Sequence, residues 1–448
     1  VGYVGPRQAT PIIYEGLRRL EYRGYDSAGL AVLEKNGRIS IRRDVGKLDA
    51  LGTLLTDRPV SGRIGIGHTR WATHGEPCQR NAHPHVGMTG DVVIVHNGIV
   101  ENYLELREDL RAEGCVFSSD TDTEVIAHLV ERHVAAGTDL VQATRGALSH
   151  LKGAHGIVVM SVNEPDRLVA ARIGNAGGVT LGVGDGEMFI ASDMPAILEH
   201  TRRMVFLENG EMAVITADGY SVTLLQDGSP VEKEVHTIPW DPVSAAKGEY
   251  RHFMEKEIYE QARSVTDTIR GRADFEAGRI RLDQEVPLTA EQACALEKLI
   301  IVACGTSAYS AQVGKFMIES LARLPVEVDY VSEFRYRNPI INGNSAVLAI
   351  TQSGETVDTL AAMEEARHKG ARLWSIVNVI GSQAHRVVDG AILMHAGPEI
   401  GVASTKAFTT SLTDLYMLGV YLGALRGTLD RAEQRARVND LSRLPELM

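Results

Sequence analysis

The sequence predicts two fold classes in succession: a layered α+β domain in the first half and a doubly wound, parallel α/β domain in the second. Three observations carry this reading. From residue 156 to 225 one short strand pattern follows another, with turn signals at Asn163, Gly174, Asp185-Gly186, Asn209-Gly210 and Asp218-Gly219. Between residues 236 and 247 two prolines interrupt a stretch with no clear period, as at an interdomain linker. From about Tyr250 onward, short apolar runs alternate with helical patterns, which is the signature of a parallel sheet.

The elements follow in order. Residues 8–20 place Ile12, Ile13, Gly16, Leu17 and Leu20 on one helical stripe. Residues 28–33 and 39–45 are strands joined through Asn36-Gly37, a strong hairpin signal. Residues 63–67 and 92–96 read as buried strands. Residues 104–113 and 124–135 read as helices, the second entered through an Asp/Thr-rich cap region. In the second half a helix spans 255–269, and strands are expected at 299–303, 346–350, 372–378 and 390–395. A helix over 429–441 follows the last of them.

The chain has 448 residues, too many for one core. Its formal net charge of −12 argues against nucleic acid as a partner, because phosphate backbones are met by basic surfaces. No apolar run approaches the length of a membrane span, so no membrane partner is expected. Cys78, Cys115, Cys294 and Cys304 are scattered, which fits a reduced, cytoplasmic setting. His68, His74, His83, His85 and His96 have irregular spacing without an H-E-x-x-H pattern, so no metal site is expected. No organic cofactor is implied either.

Two sets of residues carry chemistry. In the first half Arg70 follows a strand and can hold a carboxylate bidentately. Asp122, at the start of a helix, can accept an ammonium. Asn97-Gly98, after another strand, can form an oxyanion hole from a side-chain amide and a backbone N–H. Each has an ordinary structural alternative: an ion pair for Arg70, a hairpin turn for Asn97-Gly98, a helix cap for Asp122 and core packing for Trp71. In the second half, two strands run into Cys304-Gly305-Thr306-Ser307 and Thr351-Gln352-Ser353-Gly354-Glu355-Thr356, each followed by a helix. A glycine- and hydroxyl-rich loop at a helix N-terminus suits a phosphate. Capping of the helices is the alternative for either loop taken alone. No lysine follows in Walker fashion.

Taken together, the motifs from Arg18 to Ser27, from His68 to Gly75, from Asn81 to His85, from His96 to Asn102 and from Ser119 to Glu124 resemble the glutaminase domain of class II glutamine amidotransferases. The resemblance implies an N-terminal-nucleophile (Ntn) layered sandwich over residues 1–238. It implies glutamine binding through Arg70, Trp71, Thr73, His74, His83, Gly98 and Asp122, with Asn97 and Gly98 as the oxyanion hole. The family's nucleophile is an N-terminal cysteine; it is expected to precede Val1, and none of the four cysteines present replaces it. Residues 256–448, after a linker at 239–255, resemble a sugar isomerase (SIS) domain. The stretch from Glu399 to Thr410 is a further specific match. By this resemblance Cys304, Gly305, Thr306, Ser307, Thr351, Gln352, Ser353, Thr356 and Val402 bind a sugar phosphate. Thr351 stands where the family often has serine and keeps the hydroxyl. Lys406 is left open between an ion pair and a surface charge.

The two resemblances together imply that ammonia from glutamine is passed to fructose 6-phosphate, giving glucosamine 6-phosphate and glutamate at the head of amino-sugar synthesis. They also imply pairing of two copies through SIS domains. A second SIS domain carrying the isomerisation residues is expected beyond Met448, so a polypeptide limited to residues 1–448 is expected to be inactive in both half-reactions. A non-catalytic sugar-phosphate sensor would have no use for the Arg70, Asn97-Gly98 and Asp122 set. An amidotransferase acting on phosphoribosyl pyrophosphate would need a pyrophosphate loop that the sequence does not contain.

Overall fold

The computed structural model describes residues 1–21, 24–72, 74–175, 178–238 and 248–448. The chain divides into two compact units, Val1–Pro239 and Trp240–Met448.

In the first unit two antiparallel sheets lie face to face. One has eight strands and the other seven. At the centre of the first sheet, Gly2–Val4 pairs with Gly62–Arg70 on one side and Met188–Ala191 on the other. In the second, Val92–Gly98 pairs with His155–Ser161, which pairs with Arg167–Ile173. Alternation along the strands decides what each side chain meets. Ile64, Ile66, Val93, Val95, Val158 and Met160 fill the space between the sheets. Val92, Ile94, Ile157 and Val159 point the other way, into helices Tyr103–Ala112, Glu124–Ala135 and Leu140–Leu148. Helix Ala9–Leu20 covers the outer face of the first sheet, where Ile13 and Leu17 sit directly over Gly67. The result is a four-layer α/β/β/α sandwich. Its two sheets leave their strand ends open at one edge, where side chains from both can converge.

The hairpin through Asn36-Gly37 is present, with Ser27–Glu34 pairing to Ile39–Val45. Helices Leu48–Asp57 and Leu140–Leu148 were not expected from the sequence. Both are amphipathic but short, and Gly52 and Gly146 interrupt their patterns. In the expected linker, His236–Thr237 is an edge strand pairing with Arg203–Met204, and helix Phe253–Ile269 has already begun by residue 253. Residues 239–247 lie outside the described residues.

The second unit is a five-stranded parallel sheet in the order Val326–Tyr330, Lys298–Ala303, Ser345–Thr351, Arg372–Val377, Gly390–Leu393. Helices cover both faces. Leu299, Ile301 and Ala303 pack towards helices Gly305–Ala322 and Lys406–Leu425, while Ile300 and Val302 pack towards helix Val357–His368. The edge strand Val326–Tyr330 escaped the sequence reading because charges alternate with its apolar residues. In chain order the sheet reads 2-1-3-4-5, so the direction of winding reverses between Lys298–Ala303 and Ser345–Thr351. Ligands of open α/β sheets bind at such a reversal, beyond the carboxyl ends of the strands.

Candidate functional site

The first unit encloses a cavity of about 330 Å³ lined by Val1, His68, Arg70, Trp71, His83, Asn97, Gly98, Asp122 and Thr123, among others. Six of the residues singled out in the sequence therefore share one wall system, although they come from four separate segments. Of the other two, Thr73 lies outside the described residues, and His74 is not part of the lining. The His74 ring packs edge-on against Tyr103, and its carbonyl accepts from Arg70.

Arg70 is the last residue of its strand rather than the first after it. Its side chain is buried, and Nη2 donates to the carbonyls of His74 and Gly75. Nη1 is buried with no hydrogen-bond partner among the described residues. Burial disfavours the guanidinium charge, and Asp26 and Asp122 partly offset this. A buried cationic donor left unmade is costly, so this one is arranged for a ligand acceptor. Asp122 sits two residues before helix Glu124–Ala135; its Oδ2 accepts from the Val100 amide at 2.8 Å, and Oδ1 has no partner among the described residues.

Asn97 and Gly98 end a strand paired with Gly156 and His155, so they do not form a hairpin turn. Gly98 has a φ of 145°, and a Cβ there would lie 2.1 Å from the Ala154 carbonyl oxygen. Only glycine lets the backbone pass at this point. Trp71 is 59% exposed, with its ring against Tyr25, so it forms a rim rather than core.

Behind the cavity lies a group that the sequence did not disclose. His68 Nδ1 is 2.9 Å from His83 Nδ1, and His83 Nε2 is 3.2 Å from Thr123 Oγ1. The same hydroxyl is 2.8 Å from His96 Nδ1. His96 Nε2 is 3.1 Å from His155 Nδ1, and His155 Nε2 is 3.2 Å from the Lys152 carbonyl. Burial lowers the pKa of all four imidazoles, that of His68 to about 3. Thr123 had been grouped with the cap region, but its hydroxyl makes no cap bond and links two rings instead. His155 carried no motif; only its register opposite Gly98 brings it here. Among the described residues, no group of three or more His, Cys, Asp or Glu side chains could hold a metal ion.

In the second unit the two expected loops lie side by side, because Ala303 pairs with Ile350 at the ends of adjacent strands. Helix Gly305–Ala322 starts within the first loop, earlier than the sequence suggested. Thr351 is buried beneath the second loop, where its Oγ1 accepts from the Gly354 amide at 3.2 Å, so it shapes the loop. Gly354 has a φ of 70°, and a Cβ would meet Ser382 Oγ at 2.1 Å. Ser353 Oγ accepts from the Glu355 amide. The stretch from Glu399 comes to the same end of the sheet. Gln352 Nε2 reaches the Glu399 carbonyl at 3.5 Å, while the Glu399 carboxylate takes the amides of Thr405 and Ala407. Val402 is 81% exposed on this stretch. Lys406 is buried and paired with Glu260 at 2.6 Å, which makes it an ion-pair residue. Cys304, Thr306, Ser307 and Thr356 remain accessible around the two loops.

The first unit's sandwich and cavity, with the second unit's phosphate-type loops, define a glutamine amidotransferase joined to a sugar-phosphate-binding α/β unit. Residues 68–199 match the family model of the glutamine amidotransferase domain, and residues 293–421 match that of the SIS domain. The chain belongs to the glutamine–fructose-6-phosphate aminotransferase (isomerizing) family. All of it aligns with the member from Symbiobacterium thermophilum at 48% identity over 446 residues, covering 72% of that protein. All of it also aligns with the member from Caldanaerobacter subterraneus subsp. tengcongensis at 47% identity, again covering 72%. Among solved structures, the C-terminal domain of glucosamine-fructose-6-phosphate aminotransferase from Francisella tularensis is 36% identical. It covers 45% of this chain and 56% of its own, with a TM-score of 0.43.

Proposed function

We propose that this protein cleaves the side-chain amide of glutamine in its first unit and uses the nitrogen to convert fructose 6-phosphate into glucosamine 6-phosphate, with glutamate as the second product. The observation that carries the first half is the buried Arg70 Nη1, without a hydrogen-bond partner among the described residues, in a cavity that also holds Asp122 and the Asn97-Gly98 strand end. Arg70 takes the α-carboxylate of the substrate, Asp122 Oδ1 its ammonium, and the Asn97 amide with the Gly98 N–H the developing oxyanion. Trp71 and His83 form walls, and the His74 carbonyl holds the Arg70 guanidinium. A nucleophile carried on residues preceding Val1 would enter beside Val1, which lines the cavity and whose nitrogen donates to the Gly67 carbonyl.

The second half rests on the pair of loops at the winding reversal. Backbone N–H groups of 305–307, 353 and 356, with the hydroxyls of Thr306, Ser307, Ser353 and Thr356 and the Gln352 amide, take the phosphate, while the Gly354 and Glu355 amides hold the loop itself. Thr351 acts by holding the loop. Cys304 and Val402 contact the sugar. Four unpaired cysteines support a reducing, cytoplasmic location, and the exposed Tyr309, Val313 and Phe316 on one helix support pairing of two copies through this unit. Among the described residues no helix is long and apolar enough to cross a membrane.

The test uses the full gene product with glutamine, with and without fructose 6-phosphate. Glutamate and glucosamine 6-phosphate should form in equal amounts. Glutamate alone would exclude fructose 6-phosphate as acceptor, and no glutamate would overturn the amide-cleavage assignment.

A further inference from the structure

We propose that His68 presents an unprotonated Nε2 to the cavity as hydrogen-bond acceptor for the amide N–H of the bound substrate, and that the chain His83, Thr123, His96 and His155 holds it in that form. The ligand named here rests on the amide-cleavage reading above; the proton arrangement does not.

The arrangement follows from one carbonyl. The Lys152 oxygen can only accept, so His155 Nε2 carries the proton facing it. A neutral His155 then accepts at Nδ1, so His96 donates from Nε2. His96 Nδ1 accepts in turn, and its donor is the Thr123 hydroxyl. That hydroxyl has one proton, now used, so its oxygen accepts from His83 Nε2. His83 Nδ1 is left to accept from His68 Nδ1. His68 is thereby the Nδ1–H tautomer, since the proton on one ring nitrogen is set by the bond at the other. Its Nε2 has no hydrogen-bond partner among the described residues and is not sealed off, and the residue lines the cavity.

The chain needs every ring neutral. A second proton on His83 would set two N–H groups against each other at the 2.9 Å contact with His68. Burial enforces neutrality, and Arg70 and the neighbouring rings add to it at His68 and His83. The path also connects two histidines on different sheets, His68 and His96, through a hydroxyl at the start of a helix that His83 and His96 share. His83 and Thr123 carry the bond from one to the other. These four are positioning residues, and His68 is the group that touches substrate.

The full gene product labelled with 15N-histidine tests the arrangement by long-range 1H–15N correlation at neutral pH. Expected are an Nδ1–H ring for His68, assigned by its loss in His68→Gln, and Nε2–H rings for His83, His96 and His155. His68 as the Nε2–H form or as imidazolium overturns the proposal. Glutamine hydrolysis supplies the second readout. Thr123→Val, which keeps the volume and removes the link, should lower kcat at least about tenfold with little change in KM and give His68 mixed tautomers. Thr123→Ser should recover most of that loss. Equal rates for Thr123→Val and the unaltered protein overturn the role in turnover. An unaltered protein that hydrolyses no glutamine overturns the substrate assigned to His68 through the reading it rests on, whereas wrong tautomers with intact hydrolysis overturn the relay itself.

Discussion

The two units meet their ligands with opposite materials. In the first, charged and amide side chains arrive from separate segments: Arg70 at one strand end with His68 two residues before it, Asn97-Gly98 at a strand end of the facing sheet, and Asp122 in a turn. Around them are buried imidazoles and a guanidinium with one nitrogen unpaired among the described residues. In the second, each loop is one continuous stretch between a strand and its helix, and the groups on offer are mostly backbone amides and hydroxyls. A site of the first kind depends on charge state and on single side chains. One of the second kind depends on backbone conformation and tolerates loss of individual side chains.

Acid should separate the two units most strongly. His68, His83, His85 and His96 have folded pKa values depressed by burial, two of them to about 3. Below their ordinary value of about 6.5 the unfolded chain binds protons that the folded unit refuses. Stability is therefore present above that value and lost as pH falls through it. Between about pH 6.5 and 5.5 the expected loss is about 1 kcal/mol per imidazole. Hydrogen exchange resolved by segment should show residues 1–238 loosening well before residues 248–448. Equal loosening would remove the contrast.

Arg70→Ala comes next. Losing a buried, charged, bidentate donor should lower kcat/KM for glutamine in the full gene product on the order of a hundredfold, about 3 kcal/mol. Arg70→Lys should recover little, because an ammonium cannot reproduce the fork. Gly98→Ala forces a Cβ against the Ala154 carbonyl and should cost about 2–3 kcal/mol of stability in thermal unfolding, along with glutamine hydrolysis. Gly354→Ala is the corresponding backbone change in the second unit. It should abolish binding of fructose 6-phosphate in calorimetry, whereas Ser353→Ala should weaken it by less than about tenfold. The reverse order would show that side chains, not backbone, define that loop.

A smaller effect is expected at Glu124. Burial raises its pKa, but the His128 ring 3.6 Å away and hydrogen bonds from Ser119 and Ser118 outweigh this and hold the carboxyl well below its ordinary value. Its contribution is therefore present above about pH 4.5 and lost as pH falls further. Glu124→Gln should cost about 1–2 kcal/mol at neutral pH in denaturant unfolding, and the difference should shrink below that pH.

Much of the candidate site was legible because its residues fall in compact motifs. Arg70, Asn97, Gly98 and Asp122 each follow or precede an element that local patterning reveals, and the two phosphate-type loops are short strings between an apolar run and a helix. What was misread was context. Asn97-Gly98 has the composition of a turn, yet it continues a strand because His155 and Gly156 pair with it. Trp71 has the composition of core, yet it stands at a rim. Thr351 keeps the hydroxyl expected of it, but spends the oxygen on Gly354.

By itself, the sequence determined the element types, the order of the two fold classes and the identity of the ligand-type motifs, since periodicity, turn chemistry and glycine placement act over a few residues. Only the tertiary structure decided which donors remain unpaired and which imidazoles meet. Among the described residues Arg70 Nη1 is left without a partner while the 74–75 carbonyls take its neighbour, and His96 reaches His155, 59 residues away, only through strand register. Register depends on the packing of both sheet faces at once, and no local pattern along the chain records it.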